Sequence, residues 1–236
     1  MRSLALCRLV CAVCAACLVC ALFLTAVELP TFNLNFYSRE YDKYNIADNI
    51  RVPKDELMAV TARLLDYMRG AAPDLAVTAR VDGQIRQFFD QREEEHMRDV
   101  RRLILNGFAV RSAAAVVLLL AFVFLCFMRV KGRFRLLAKW VLGAALGFLA
   151  VMLALAFLIS RDFESAFVIF HHIFFNNNLW ILDPSVDLLV NIVPENFFID
   201  LAKAVAALFT AFFAVTVCAC AAFLVLTKRA GKNADN

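Results

Sequence analysis

Three histidines are the only side chains of this 236-residue chain that ordinarily change charge between pH 5 and 8. His96 falls within Phe89-Asp90-Gln91-Arg92-Glu93-Glu94-Glu95-His96-Met97-Arg98-Asp99-Val100. At helical spacing it shares a face with Phe89, Arg92, Val100 and Leu103, while Glu93 and Asp99 lie about one turn to either side. A carboxylate within reach of an imidazole can fix its tautomer and raise its basicity, which suits general acid or base work. The simpler reading of His96 alone is a partly buried helix histidine satisfied by Asp99. Glu93-x-x-His96 also has the spacing of half a carboxylate di-metal site, but no second Glu-x-x-His exists to complete it. His171 and His172 occupy an apolar run from Phe163 to Phe175, where an ionisable group is costly and therefore a functional suspect. The ladder Phe163, Phe167, Phe170, Phe174 follows helical spacing and reads as packing or lipid contact.

The elements that must place these groups follow from hydropathy. Hydrophobic residues make up 62% of the chain and its mean hydropathy is +0.70, too apolar for an ordinary soluble domain. Crossing a bilayer takes roughly 20 mostly apolar helical residues. Four stretches qualify: Leu9 to Val27, Ser112 to Met128, Trp140 to Ser160 and Leu201 to Leu226. The short segments beside them are basic, with Arg2 and Arg8 at the N-terminus, Arg129, Lys131, Arg133, Arg135 and Lys139 between spans two and three, and Lys228, Arg229 and Lys232 at the C-terminus. The positive-inside rule puts all three in the cytoplasm, so both longer inserts face outward. The expected fold is an all-α membrane protein: four transmembrane helices with a mainly helical extracytoplasmic cap. Its parts are residues 1–28 (N-terminus and span one), 29–111 (first insert), 112–160 (spans two and three with the basic loop), 161–200 (interfacial insert) and 201–236 (span four and tail). The first span reads as retained, because its apolar run is long for a signal peptide and Leu24-Thr25-Ala26 lacks a small residue three before a cut.

Within the first insert, Tyr37 to Tyr44 shows neither period clearly and reads as irregular or short strand. Pro53, Asp55 and Glu56, followed by Leu57, Val60, Leu64 and Met68 and stopped by Gly70, predict a helix. Loops around Pro73-Asp74 and Asp82-Gly83 lead to a second predicted helix, Gln84 to Asn106, that feeds span two. In the second insert the apolar run suits a helix lying in the interface. Asp183-Pro184 then reads as a cap and first-turn proline opening a short helix through Leu189, and Pro194-Glu195 as a break before the last span.

Several function classes are excluded. The eight cysteines all lie in spans or at their cytoplasmic ends, so the outer face has neither a disulfide nor a cysteine nucleophile. The cluster Cys7, Cys11, Cys14, Cys17, Cys20 reads as small apolar residues on a helix, since it lacks charge-balancing partners. The basic residues fringe the spans and form no aromatic-interleaved patch, so no nucleic-acid partner is expected. Transport has no support, because spans two and three carry no charge in their apolar cores and the fourth only Lys203, near its outer end.

The segment Phe89 to Val100 resembles the first signature of a family of bacterial integral membrane proteins that includes the lipoprotein intramolecular transacylases, the Lit family. A second signature is matched by Phe170-His171-His172-Ile173-Phe174-Phe175, then Asn178-Leu179-Trp180, Asp183-Pro184, Asp187-Leu188-Leu189 and Pro194-Glu195-Asn196-Phe197-Phe198. The four-span layout and the Tyr41 to Gly70 segment fit as well. The resemblance implies an enzyme of the bacterial cytoplasmic membrane that moves the sn-2 acyl chain of a diacylglyceryl lipoprotein onto the α-amino group of its N-terminal cysteine. It implies His96 and His171 as the essential pair, with His172 at a position the motif leaves free. Diacylglyceryl lipoproteins and membrane lipids are then its partners, and no metal or other cofactor is expected.

The residues agree with that chemistry. An α-ammonium with a pKa of about 7.7 becomes a nucleophile on losing its proton. One histidine can take the proton, and a second can protonate the departing glycerol oxygen or stabilise the oxyanion. No Gly-x-Ser-x-Gly elbow is present, and Ser38 and Ser165 lack a nucleophile motif, which favours direct amine attack over an acyl-enzyme. Glu93, Asp99, Asn178 and Asp183 are candidates to orient the histidines and Arg92 to stabilise charge. Which histidine is base and which is acid stays open at this point. Two other readings remain: a non-enzymatic membrane module binding lipid or protein, and a metal-dependent hydrolase using Glu93, His96 and His171.

Overall fold

The computed structural model describes residues 2–234. Its elements run α1 (Arg2–Thr31), α2 (Leu34–Lys43), α3 (Ile46–Asn49), α4 (Lys54–Arg69), β1 (Thr78–Val81), β2 (Gln84–Gln87), α5 (Gln91–Phe127), α6 (Arg133–Arg161), α7 (Phe163–Phe174), α8 (Leu188–Ile192) and α9 (Glu195–Ala234). The chain is an all-α membrane protein: α1, α5, α6 and α9 are each long and apolar enough to cross a bilayer. It divides into two compact units.

The first unit takes residues 2–27, 109–163 and 206–234. Its helices meet through aromatic rings, with Phe148 5.2 Å from Phe23 and 5.1 Å from Phe209. Cys7 and Cys11 are buried against Leu125 and packed with Phe134 and Leu137, so these thiols serve as small core residues.

The second unit takes residues 28–108 and 164–205. Its core gathers Tyr41, Leu57, Val60, Leu64, Phe88, Phe89, Leu189, Ile192 and Phe197. Helix α4 forms as its spacing predicts, burying Leu57, Val60, Leu64 and Met68 on one face. It ends at Gly70, whose φ of +83° lets its N–H reach the carbonyls of Asp66 and Tyr67. A Cβ added there would meet Leu105 only at ordinary van der Waals distance, so the cost of Gly70→Ala is the left-handed backbone itself. The expected result is a loss of about 1 kcal/mol, read as a lower thermal midpoint in detergent.

Three expectations fail here. Tyr37 to Lys43 lies in helix α2, with Tyr44 as its C-cap, not in a strand or irregular segment. Charged residues interleave with the aromatics and blur the period, but Phe36, Tyr37, Glu40 and Tyr41 form one buried face, and Asn33 caps the start by accepting the Asn35 N–H at 3.1 Å. Phe36 and Tyr37 pack on Phe197 of α9 at 5.5 and 4.9 Å, and Tyr41 shares a 2.8 Å hydrogen bond with Thr61 of α4. Asp200 of α9 accepts from Lys43, Tyr44 and Lys203, so the lysine expected near the end of the fourth span is paired.

The second failure is the helix expected from Gln84. Asp82 and Gly83 both have positive φ, +52° and +81°, which makes the two-residue turn of a hairpin pairing Val81 with Gln84. The helix begins only at Gln91, where a reciprocal cap starts it: Asp90 accepts the Glu93 N–H at 2.8 Å and Glu93 accepts the Asp90 N–H at 2.7 Å. The third is the helix expected from Pro184 through Leu189. Asp183 and Pro184 instead form a turn closed by the Asp187 N–H on the Asp183 carbonyl at 2.8 Å, and Asp187 starts α8. Helix α7 and the break at Pro194 stand where the sequence places them.

Candidate active site

His96 lies on the second turn of α5, in the part of that helix that belongs to the second unit, and His171 on the last turn of α7. Both are buried, and their rings stand 6.0 Å apart between centroids at 36°. Phe175 touches both, 5.4 Å from His96 and 5.6 Å from His171. Phe167 lies 4.0 Å from His171 on one side, and Trp180 stacks on it at 4.6 Å and 26°. His172 is exposed and meets the edge of Trp180 at 5.5 Å.

The two rings differ in their hydrogen bonding. His171 Nδ1 is 2.7 Å from the Phe167 carbonyl, one turn back on its own helix. A carbonyl only accepts, so Nδ1 carries the hydrogen and the neutral ring keeps its lone pair on Nε2. His96 Nδ1 is buried with no hydrogen-bond partner among the described residues. An unsatisfied buried N–H is rarer than an unsatisfied acceptor, so the proton of the neutral ring belongs on Nε2. Burial pushes the His96 pKa down to about 4, helped by the neighbouring His171 and opposed by Asp99. Burial also lowers His171, against the pull of the Phe167 carbonyl and together with His172. At neutral pH the pair is uncharged, one ring offering an acceptor and the other a donor.

The segment after α7 is gripped from α5 on either side of His96. Arg92 donates to the Asn178 carbonyl at 3.2 Å, and Asp99 accepts from Asn177 Nδ2 at 2.8 Å. Asn177 also accepts the Leu179 N–H on its side chain at 3.1 Å and the Trp180 indole N–H on its carbonyl at 3.0 Å. Asp99 therefore orders the Trp180 segment, and the expected bond from Asp99 to His96 is not formed. Asn178 contributes its carbonyl. Glu93 faces the backbone, with Oε1 accepting the Leu189 N–H at 2.6 Å and Oε2 that of Asp90. Asp183 caps Ser185 and makes no bond to either histidine. Asn177, Trp180, Phe167 and Phe175 were not foreseen as site residues. The run Asn176-Asn177-Asn178 after an apolar helix is a turn signal, but it does not say which asparagine makes these contacts.

Among the described residues no three His, Cys, Asp or Glu side chains converge on one metal position, and both Glu93 oxygens are taken. A separate hollow of about 520 Å³, bordered by Tyr44, Arg51, Arg86, Ser185 and Asn191, contains neither histidine.

The sequence model of the lipoprotein intramolecular transacylase Lit matches residues 12–198, most of the chain. The chain belongs to that family. As a Lit family member it is an acyltransferase of the intramolecular type that the family name describes. No curated protein sequence matches it significantly. Its fold is that of the membrane integral lipoprotein intramolecular transacylase Lit from Bacillus cereus, solved in meso, with a TM-score of 0.76 at 22% identity over 95% of this chain and 98% of that one. Structures of the same Bacillus cereus protein with one histidine changed to arginine or to alanine each match with a TM-score of 0.71 at 22% identity, over 96% and 95% of this chain and 95% and 96% of theirs.

Proposed function

We propose that this chain moves the sn-2 acyl chain of a diacylglyceryl-modified lipoprotein onto the α-amino group of the N-terminal cysteine, with His171 as base and His96 as donor. The observation that carries the reading is the buried, neutral pair of histidines 6.0 Å apart with opposite free functions. His171 Nε2 takes a proton from the cysteine ammonium, and the amine attacks the ester carbonyl. His96 Nε2–H hydrogen-bonds the oxyanion of the tetrahedral centre. After His171 has released that first proton to solvent, it takes the second proton from the attacking nitrogen and hands it to the glycerol oxygen as the C–O bond breaks, leaving a neutral amide and a free hydroxyl. Donor and acceptor belong to one molecule, so positioning replaces much catalytic machinery.

The aromatic surround excludes water that would otherwise hydrolyse the ester. The exposed apolar residues of α7, Ile169, Phe170, Ile173 and Phe174, suit contact with acyl chains of the substrate and of membrane lipids. With the termini in the cytoplasm, as the basic fringe requires, both inserts and the histidine pair work on the outer face of the bacterial cytoplasmic membrane. Mass spectrometry of lipoprotein N-termini tests the reading in cells that lack this activity and express the chain. The expected product carries one acyl group on the cysteine nitrogen and one on glycerol. Unchanged diacylglyceryl termini with the protein present in the membrane overturn it.

A further inference from the structure

We infer that Trp180, held in place by Asn177, is a positioning residue for His171 that fixes the plane of its ring and stabilises its protonated form during proton transfer. This rests on the reading of His171 as the base. Three observations carry it. The indole lies against the imidazole face at 4.6 Å and 26°, closer to parallel than the other aromatic rings packed on His171. The indole N–H is fixed on the Asn177 carbonyl, and the Asn177 side chain is fixed in turn on Asp99. The segment is therefore a rigid chain from α5 to the face of the base. Finally, His171 is buried, and among the described residues no hydrogen bond joins it to a carboxylate that would balance the charge it acquires.

An imidazolium lying over an electron-rich aromatic face is stabilised as other cations are, more so where water is excluded. The titratable groups facing His171 are His96 and, beyond it, Asp99 on α5, and His172 on its own helix. None of them is a carboxylate in contact with the ring, so the indole adds to the Phe167 carbonyl in offsetting the charge.

The test uses the full chain in nanodiscs, with histidine labelled on the ring nitrogens. The three signals are assigned by single His→Gln variants. Trp180→Leu is expected to lower the His171 titration midpoint by about one pH unit, to cut turnover about 10- to 30-fold, and to leave KM within about twofold. Trp180→Phe restores most of the midpoint and the rate, because it keeps an aromatic face. Asn177→Ala keeps the indole but frees it, and falls between the two. An unchanged His171 midpoint in folded Trp180→Leu overturns the inference, and so does a rise in KM with turnover intact. Since the midpoint is read without turnover, an active His171→Ala enzyme would sink the base reading separately.

Discussion

His171→Gln is expected to lower conversion of diacylglyceryl to lyso-form lipoprotein by about 10³-fold, whereas His96→Gln lowers it by only about 10- to 100-fold. Glutamine has no group that titrates near neutral pH, so it cannot replace a base. Its amide N–H can replace a donor, and His96 carries its hydrogen on Nε2, Nδ1 being the buried nitrogen without a partner among the described residues. His96→Ala, which removes the donor altogether, falls with His171→Gln. The comparison is made by mass spectrometry of lipoprotein termini at matched membrane levels of each variant. A reversed order, with His96→Gln the more damaging, exchanges the roles.

The pH dependence follows from the same burial. Both histidines titrate below their ordinary value, so activity holds as pH falls from 7 and is lost when His171 protonates, at a pH below the ordinary histidine value. His96 stays neutral until about pH 4. For stability the sign is that of a depressed pKa in a base that the fold keeps neutral. The contribution of His96 is fully present above its unfolded value near 6.5 and drains away as pH falls toward 4, because the unfolded chain takes the proton first.

The spans and the histidine pair were both legible in the sequence, for different physical reasons. Burial in lipid demands long apolar runs, and those are visible without any partner. His96 and His171 stood out because ionisable groups in apolar company need an explanation. What sequence could not show was which neighbours the tertiary fold would spend elsewhere. Asp99 is one turn from His96, yet its oxygen goes to Asn177 across to another segment. Glu93 is also one turn away, and the same spacing that suggested a histidine partner or a metal ligand serves a helix cap. Three adjacent asparagines cannot be ranked without knowing which one points at α5. The start of α5, by contrast, was written in Asp90-x-x-Glu93 and could have been read as a capping box. Helix α2 was harder, because its buried face is four aromatic and acidic residues among charges, and Glu40 does not look like a core residue.

Glu93→Ala is expected to be the most destabilising single change in the second unit, at about 3 to 4 kcal/mol, although Glu93 touches neither reacting group. Its side chain is 1% exposed and joins α5 to α8 through two main-chain N–H groups, those of Asp90 and Leu189. Removing it leaves both donors buried without acceptors, at about 1–3 kcal/mol each, and empties a space among Phe89, Leu189 and their neighbours. In a chain of this size each kcal/mol moves the thermal midpoint by roughly 2–4 °C, so a drop of about 10 °C in detergent is expected. Glu93→Gln keeps the volume and one acceptor and should lose about half as much. The carboxyl pKa is raised, first by burial and then by the nearby Asp90 and Asp187, against the two N–H bonds that lower it. A raised carboxyl stabilises most below its unfolded value near 4.5, and its contribution shrinks as pH climbs through the folded value. The gap between wild type and Glu93→Ala therefore narrows from pH 5 to pH 8. A gap that widens over that range would mean the two N–H bonds hold the carboxylate charged more strongly than burial opposes it.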